Sequence, residues 1–427
     1  MAVSPRRFNG VRILKPLRIR DFALLWTGMT VSLVGDGLYT VAIAWQVYSI
    51  SNVPTALAVV GAAWMVPQVL LLLLGGVISD RFERRLILML SDAIRGAAIA
   101  IIGVLSVTGT LELWHAVVLV AVYGAGSAVF APAFTGIVRD VVPRDLLLEA
   151  NSLDQFVRPL CVRLIGPALG GVLIGLAGAG AAFLADAGTF AVSAGAFLLM
   201  HTRSLPDASI KPALRRDVVE GITYVRSRTW LWATLGAVTV SLLFFLGPVY
   251  VLMPYIVKNS LDGGAQGLGL IFAAGGVGAI AAAFFRGQLG LPRRPLAVVY
   301  ATWTATAFSL IGYAVVDTVW QAMVVSFFSV ACLTTGGIVW TTVLQRTVPA
   351  RMIGRISSLD WVLSLGLAPL SYLVTGPIAT QLGARRTLLW AGVVGGIVLV
   401  LVYLFVPGVR DVEATDEEEE STTAAAA

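Results

Sequence analysis

Long apolar runs separated by short charged breaks recur along the whole chain, and each is long enough to cross a bilayer as a helix, which takes roughly 20 residues. Twelve such helices are predicted, at 22–48, 55–78, 86–107, 114–138, 150–175 and 179–200, then at 231–257, 265–285, 296–316, 321–343, 356–379 and 387–406. The first run follows a basic stretch, as the apolar part of a signal peptide does, but it is too long for that role and no small-residue cleavage site follows it. It reads as a membrane helix. The longest polar interruption, His201 to Arg228, falls between the sixth and seventh helices, and its mixed-charge part from Ala213 onward suits an amphipathic helix at the membrane surface. The pattern gives a basic arm at 1–20, a six-helix bundle at 21–200, a linker at 201–228, a second six-helix bundle at 229–410 and an acidic tail at 411–427. The tail, with Asp416 to Glu420 and four closing alanines, buries too little apolar surface to order itself.

An internal repeat supports the division. Val142-Pro143 followed by Ser152-Leu153-Asp154 returns as Val348-Pro349 followed by Ser358-Leu359-Asp360, every position offset by 206 residues, and both copies lie between the fourth and fifth helix of their half. The fold class is therefore all-α and integral to the membrane, with twelve helices in two pseudo-symmetric bundles. Parallel repeats of this kind bind substrate near the midplane, between the halves.

Composition removes most other classes. Hydrophobic residues make up 58% of the chain and charged residues 13%, against roughly a quarter charged in soluble domains. Cys161 and Cys332 lie in apolar runs, and His115 and His201 complete no metal-binding pattern, so neither a disulfide framework nor a zinc site is expected. No metal or cofactor is called for, and no Ser/His, paired-Asp or metal set marks an intramembrane enzyme. The net charge of +6 is a topology signal. Of the 30 Lys and Arg residues, 24 fall on the side of the two termini, 3 on the opposite side and 3 inside helices. By the positive-inside rule both termini are cytosolic, and nucleic acid is not an expected partner.

After the second helix the chain reads Gly76-Val77-Ile78-Ser79-Asp80-Arg81-Phe82-Glu83-Arg84-Arg85. This resembles the loop signature of the major facilitator superfamily at Gly76, Asp80, Arg81, Arg84 and Arg85, with Glu83 where the family has glycine. The resemblance implies a cytosolic latch between the halves, docking near Ser357 and Ser358. Gly166-Pro167-Ala168-Leu169-Gly170-Gly171 in the fifth helix is similar to the core of the superfamily's antiporter signature, although Leu153 and Val162 stand where earlier glycines would be. Pro167 and glycines Gly166, Gly170 and Gly171 suit a bend packed closely against another helix. Val120 occupies the place of an arginine found in many proton-coupled members. Gly35-Asp36-Gly37, Arg163 to Pro167, Asp186 before Thr189-Phe190, and Gly221 together resemble the macrolide-efflux and enterobactin-exporter group.

Charges inside hydrocarbon are costly, and each is a functional candidate. Asp36 lies 15 residues beyond Asp21, about 22 Å along a helix and so near midplane. Ser32, Asp36, Tyr39, Thr40 and Gln46 share one broad polar face, with Trp45 beside it. Asp36 either serves a water-filled cavity or forms a buried pair, Arg163 being at comparable depth. Asp186 is a further coupling candidate with Arg163. Asp92 and Arg95, three residues apart, suit a local pair supporting the latch loop, and Asp154 and Asp360 suit helix N-termini. Phe244 and Trp340 are candidates for an apolar binding wall.

The resemblance implies a monomeric plasma-membrane transporter that moves an amphipathic small molecule outward against inward proton flow, as a multidrug or antibiotic exporter; the alternative is an exporter of one siderophore or secreted metabolite. The topology is testable on its own. Reporter fusions after Arg410 and within 201–228 are expected to lie in the cytosol, and a signal from the far side at either point would overturn the helix count.

Overall fold

The computed structural model describes residues 12–143, 146–201, 214–289 and 291–410. The acidic tail, the first eleven residues and most of the polar part of the linker, and the expectations placed on them, lie outside these residues. After a 3-10 turn, the first bundle comprises α1 (Arg20–Ile50), α2 (Pro54–Arg81), α3 (Arg84–Val107), α4 (Leu113–Val141), α5 (Leu147–Pro159) and α6 (Gly166–Leu198). The linker helix α7 (Leu214–Arg226) leads to α8 (Thr229–Gly247), α9 (Met253–Asn259), α10 (Gly264–Leu289), α11 (Pro295–Val315), α12 (Val319–Thr347), α13 (Ala350–Gly366), α14 (Ala368–Leu382) and α15 (Ala384–Phe405).

Among the described residues, ten helical stretches are long and apolar enough to cross a membrane, the longest being the 50-residue stretch Glu149–Leu198. Gly178 divides that stretch, with φ 81° and ψ 167° inside α6. The thirty-one residues of α1 complete twelve crossings. Gly383, between α14 and α15, has φ 84° and ψ 151°, so one left-handed glycine turns the chain between the fifth and sixth crossings of each half. Such a φ is open to glycine and strained for other residues.

The repeat legible as two short motifs extends to whole helices. α4 and α12 are each 29 residues long, start and stop 206 residues apart, and end on the repeated Val-Pro. Their starts are fixed alike: the Glu112 N–H donates to His115 Nδ1 at 3.1 Å, and the Thr318 N–H donates to Gln321 Oε1 at 3.2 Å. Each exchange satisfies a backbone group near a helix start that has no partner within the helix. The fifth crossing of each half is also interrupted at matching places. Leu160–Ile165 forms a π-turn between α5 and α6, and α13 gives way to α14 at Leu367. A second π-turn, Pro248–Leu252, lies between α8 and α9.

The apolar core shows how the halves meet. At the end far from the termini one cluster unites Tyr39, Val47 and Tyr48 of α1 and Leu57 and Val60 of α2 with Val251, Val257 and Ile271 from the second half. Toward the termini the core divides. Phe22, Trp26, Phe134 and Phe197 belong to one cluster and Leu231, Tyr300, Trp340 and Ile356 to another. The bundles lean together at one end and stand apart at the other, so the cleft between them opens toward the termini.

Polar bonds close the joined end. The Tyr48 hydroxyl donates to the Val251 carbonyl at 2.6 Å, and the Lys258 ammonium donates to the Tyr48 carbonyl. Asn52 and Asn259 exchange amide hydrogen bonds of 2.6 and 3.1 Å. The rings of Tyr48 and Tyr255 stand 5.6 Å apart. Each half thus contributes Tyr-x-x-x-Asn, and the two copies, 207 residues apart, meet each other. Paired Asn52→Cys and Asn259→Cys substitutions should be bridged by a short thiol cross-linker and transport should stop until the bridge is cleaved; full-rate transport by the bridged protein would show that this end never opens.

Candidate functional site

Asp36 stands between two glycines because polar side chains of α6 crowd α1 at Gly35 and the backbone around Gly166 crowds it at Gly37. A Cβ at Gly35 would overlap the side chains of Asp186 and Thr189, and one at Gly37 would lie 2.7 Å from Gly166 Cα and 2.9 Å from Pro167 Cδ. Gly35-Asp36-Gly37, Gly166-Pro167 and Asp186 with Thr189 are therefore one packing site built from three distant segments.

Hydrogen bonds and rings extend the site into α3 and α4. The Tyr123 hydroxyl donates to Asp36 Oδ1 at 2.6 Å. The Tyr39 ring stacks on Tyr123 with centroids 4.8 Å apart, and Phe190 meets Tyr123 edge-on at 6.1 Å. Arg95 forms an ion pair with Asp92, and its guanidinium lies 4.4 Å from the Phe130 ring centre and 4.7 Å from that of Phe190. Asp92, Arg95 and Asp186 are 0%, 4% and 0% exposed. Thr189 Oγ1 donates to the Asp186 carbonyl at 2.7 Å and reaches Oδ1 at 3.3 Å. The second carboxylate oxygens of Asp92 and Asp186 are buried without a hydrogen-bond partner among the described residues. Asp36, Asp92 and Asp186 thus gather around Arg95 inside this bundle.

The structure redistributes the other expected residues. Asp92 and Arg95 do form the local pair foreseen from their spacing, and they stand in this buried network with Arg95 held by two aromatic faces. Among the described residues no ion pair joins Arg163 to Asp36 or Asp186. Arg163 is exposed, and its backbone carbonyl packs on Gly276 of α10. The polar face of α1 divides along its length. Ser32 and Tyr39 are buried, Thr40 Oγ1 donates to its own helix at the Asp36 carbonyl, 2.9 Å away, and Gln46 accepts from Ser106 of α3 at 3.0 Å. The Lys258 ammonium lies 5.9 Å from the ring centre of Trp45.

The antiporter-like segment serves two neighbours. Gly166 and Gly170 fit against α1, whereas Gly171 faces Ala265, Gln266 and Gly269 of α10 across the seam. Phe244 packs near Gly395 of α15. Trp340 is not an open wall: it is buried, and its Nε1 donates to Asp360 Oδ2 at 3.2 Å. Asp360 is the eleventh residue of α13 and not a helix start.

In the latch loop, Arg84 binds Asp140 at 2.7 Å and Arg85 donates to the Leu198 carbonyl at 2.6 Å. These bonds fasten the loop within its own bundle. The surroundings of Gly76 and the side chains of Asp80 and Arg81 lie outside what is described.

Residues 12–425 match the family described as transmembrane secretion effector. The chain belongs to this family. The enterobactin exporter EntS of Salmonella choleraesuis is 27% identical over 398 residues, covering 89% of this chain and 92% of the relative. Macrolide efflux protein A of Streptococcus pyogenes is 20% identical over 405 residues, covering 92% and 97%. A bacterial homologue of the lysosomal transporter Spinster, solved in an inward-facing and unoccupied conformation, shares the fold with a TM-score of 0.69 at 14% identity, covering 94% of this chain and 98% of that structure. The secretion effector family and these neighbours are membrane transporters and not enzymes.

Tyr123 carried no signal in sequence, because an isolated tyrosine in an apolar run is ordinary packing until Asp36, 87 residues earlier, is placed beside it. The close fit of α1 predicts that Gly37→Ala destabilises the purified transporter by about 1–3 kcal/mol, the usual cost of overpacking. Gly188→Ala, with open space around its Cβ, should leave thermal unfolding unchanged. Equal unfolding temperatures for the two variants would refute the fit.

Proposed function

We propose that this transporter exports amphipathic organic compounds across a bacterial plasma membrane, coupled to inward proton movement, by alternating access of its two bundles. The observation that carries the coupling assignment is the Asp36 carboxylate, set in the interior of the first bundle and bonded to a tyrosine hydroxyl. A phenol both donates and accepts. Tyr123 donates to the ionised carboxylate, and when Asp36 takes a proton the same hydroxyl turns to accept it, so both states keep a partner. Asp186 is the second proton carrier, and Arg95 holds the surroundings electrically fixed.

Protonation removes a charge that a cationic or polar substrate would otherwise meet, which makes the two compete. A ligand moves the equilibrium between access states only by as much as it binds them differently. Domain boundaries at 21–200 and 229–410, cytosolic termini and a monomer complete the proposal; the charge asymmetry of the two faces supports the orientation. A second reading, one dedicated siderophore or secreted metabolite as cargo, draws support from the enterobactin exporter. Competition among chemically unrelated compounds separates the two.

Asp36→Asn mimics the protonated acid. In proteoliposomes it should abolish uphill export driven by a pH gradient and retain downhill substrate exchange, while Asp36→Glu keeps partial coupling. Normal proton-driven export by well-folded Asp36→Asn protein would sink the assignment and make Asp186 the residue to test.

A further inference from the structure

The two halves treat the same half-buried acid differently. Asp154 and Asp360 occupy equivalent positions, 206 residues apart, on the fifth crossing of their halves. In the first half Asp154 has its counter-ion one turn away, Arg158 donating at 2.9 Å from Nη2 and at 3.4 Å from Nε. The position equivalent to Arg158 is Ser364, and the position equivalent to Phe134 is Trp340. The second half has therefore exchanged a guanidinium for a hydroxyl and a phenyl ring for an indole.

The consequence is a carboxylate held but not neutralised. Trp340 Nε1 donates to Asp360 Oδ2 at 3.2 Å. Among the described residues Asp360 has no ion pair, although it lies within the apolar stretch Met352–Leu382. The indole is fixed: Trp340 is 4% exposed, meets Trp230 edge-on at 6.2 Å and stands 5.9 Å from Trp303. Asp360 itself is half-buried and keeps an open face. A charge in hydrocarbon needs a partner, and the Trp340 N–H with the Ser364 hydroxyl, both neutral, bonds the carboxylate without cancelling its charge.

We infer that Asp360, oriented by Trp340, is a cation-binding subsite of the second bundle that takes the single positive charge of an amphipathic organic cation. Metal ions are a poor match. A hard cation needs about six oxygen ligands, and no group of three or more metal-ligating side chains occurs among the described residues. A large organic cation, with its charge spread over an apolar body, gives up little hydration and needs one carboxylate beside an apolar wall. The subsite rests on the exporter reading for its purpose, and it is testable apart from it.

Equilibrium binding to the purified full-length protein, with no gradient, provides the test. The probes are tetraphenylphosphonium and the neutral triphenylphosphine oxide. Asp360→Asn should weaken phosphonium binding roughly tenfold or more, as loss of a close charge pair does, and change binding of the neutral compound less than about twofold. Ser364→Arg, which installs the first half's own counter-ion, should do the same while preserving neutral binding as evidence of folding. Asp154→Asn should leave both affinities unchanged. The subsite is overturned if wild-type protein binds no phosphonium, or if Asp360→Asn and Ser364→Arg bind it as wild type does. Proton-driven export of the neutral compound by wild-type proteoliposomes is measured in parallel. Its absence alongside intact, Asp360-dependent phosphonium binding would overturn the reading that unrelated amphipathic compounds are exported and leave the subsite standing.

Discussion

A carboxylate inside a bilayer has to find its proton, counter-charge or hydrogen-bond donor within the protein, because no bulk water is there to supply one. The first bundle is arranged around that demand. Gly35 and Gly37 draw α6 and the π-turn region onto α1, which sets Asp186 beside the helix that carries Asp36. Tyr123 serves Asp36 from α4, and Arg95, the one buried cation of this group, is pinned by Asp92 and two phenyl rings. The small residues, the aromatic stack and the acids are parts of one solution.

The second bundle meets the demand less completely. Its core near the termini is dominated by Trp230, Trp303 and Trp340, with Asp360 at the edge of the group. The linker helix is fastened to the same crossing, for Glu220 of α7 forms an ion pair with Arg355 of α13 and Gly221 lies against Leu359. The amphipathic segment foreseen between the bundles is thus attached to the helix that bears the second half's acid.

The fold was legible because hydropathy reports directly on single helices. The predicted 114–138 became Leu113–Val141, and the break placed after residue 175 fell at Gly178. Site residues were legible as individuals, since Asp36 and Asp186 stand out in apolar runs. Their partners were not. Arg163 and Arg95 are both arginines inside predicted spans, and only the helix packing places Arg95 against Phe130 and Phe190 and leaves Arg163 exposed in a π-turn. The role of Trp340 was hidden for the same reason, as its partner lies 20 residues away on another helix. The Tyr-x-x-x-Asn repeat was visible but uninformative: two identities in an apolar background gain meaning when the copies touch.

That contact has a consequence in symmetry. Asn52 donates to Asn259 and Asn259 donates back to Asn52, and the two residues are mates in the repeated Tyr-x-x-x-Asn, whose offset of 207 residues is one more than the 206 of the later motifs. A residue meets its own mate only on a two-fold axis, where contacts are isologous and any change made in both copies alters both sides of the contact at once. The seam at this end therefore has the form of a homodimer interface. Two identical six-helix halves, related by an axis along the membrane normal, would close against each other through the same amides without a covalent linker.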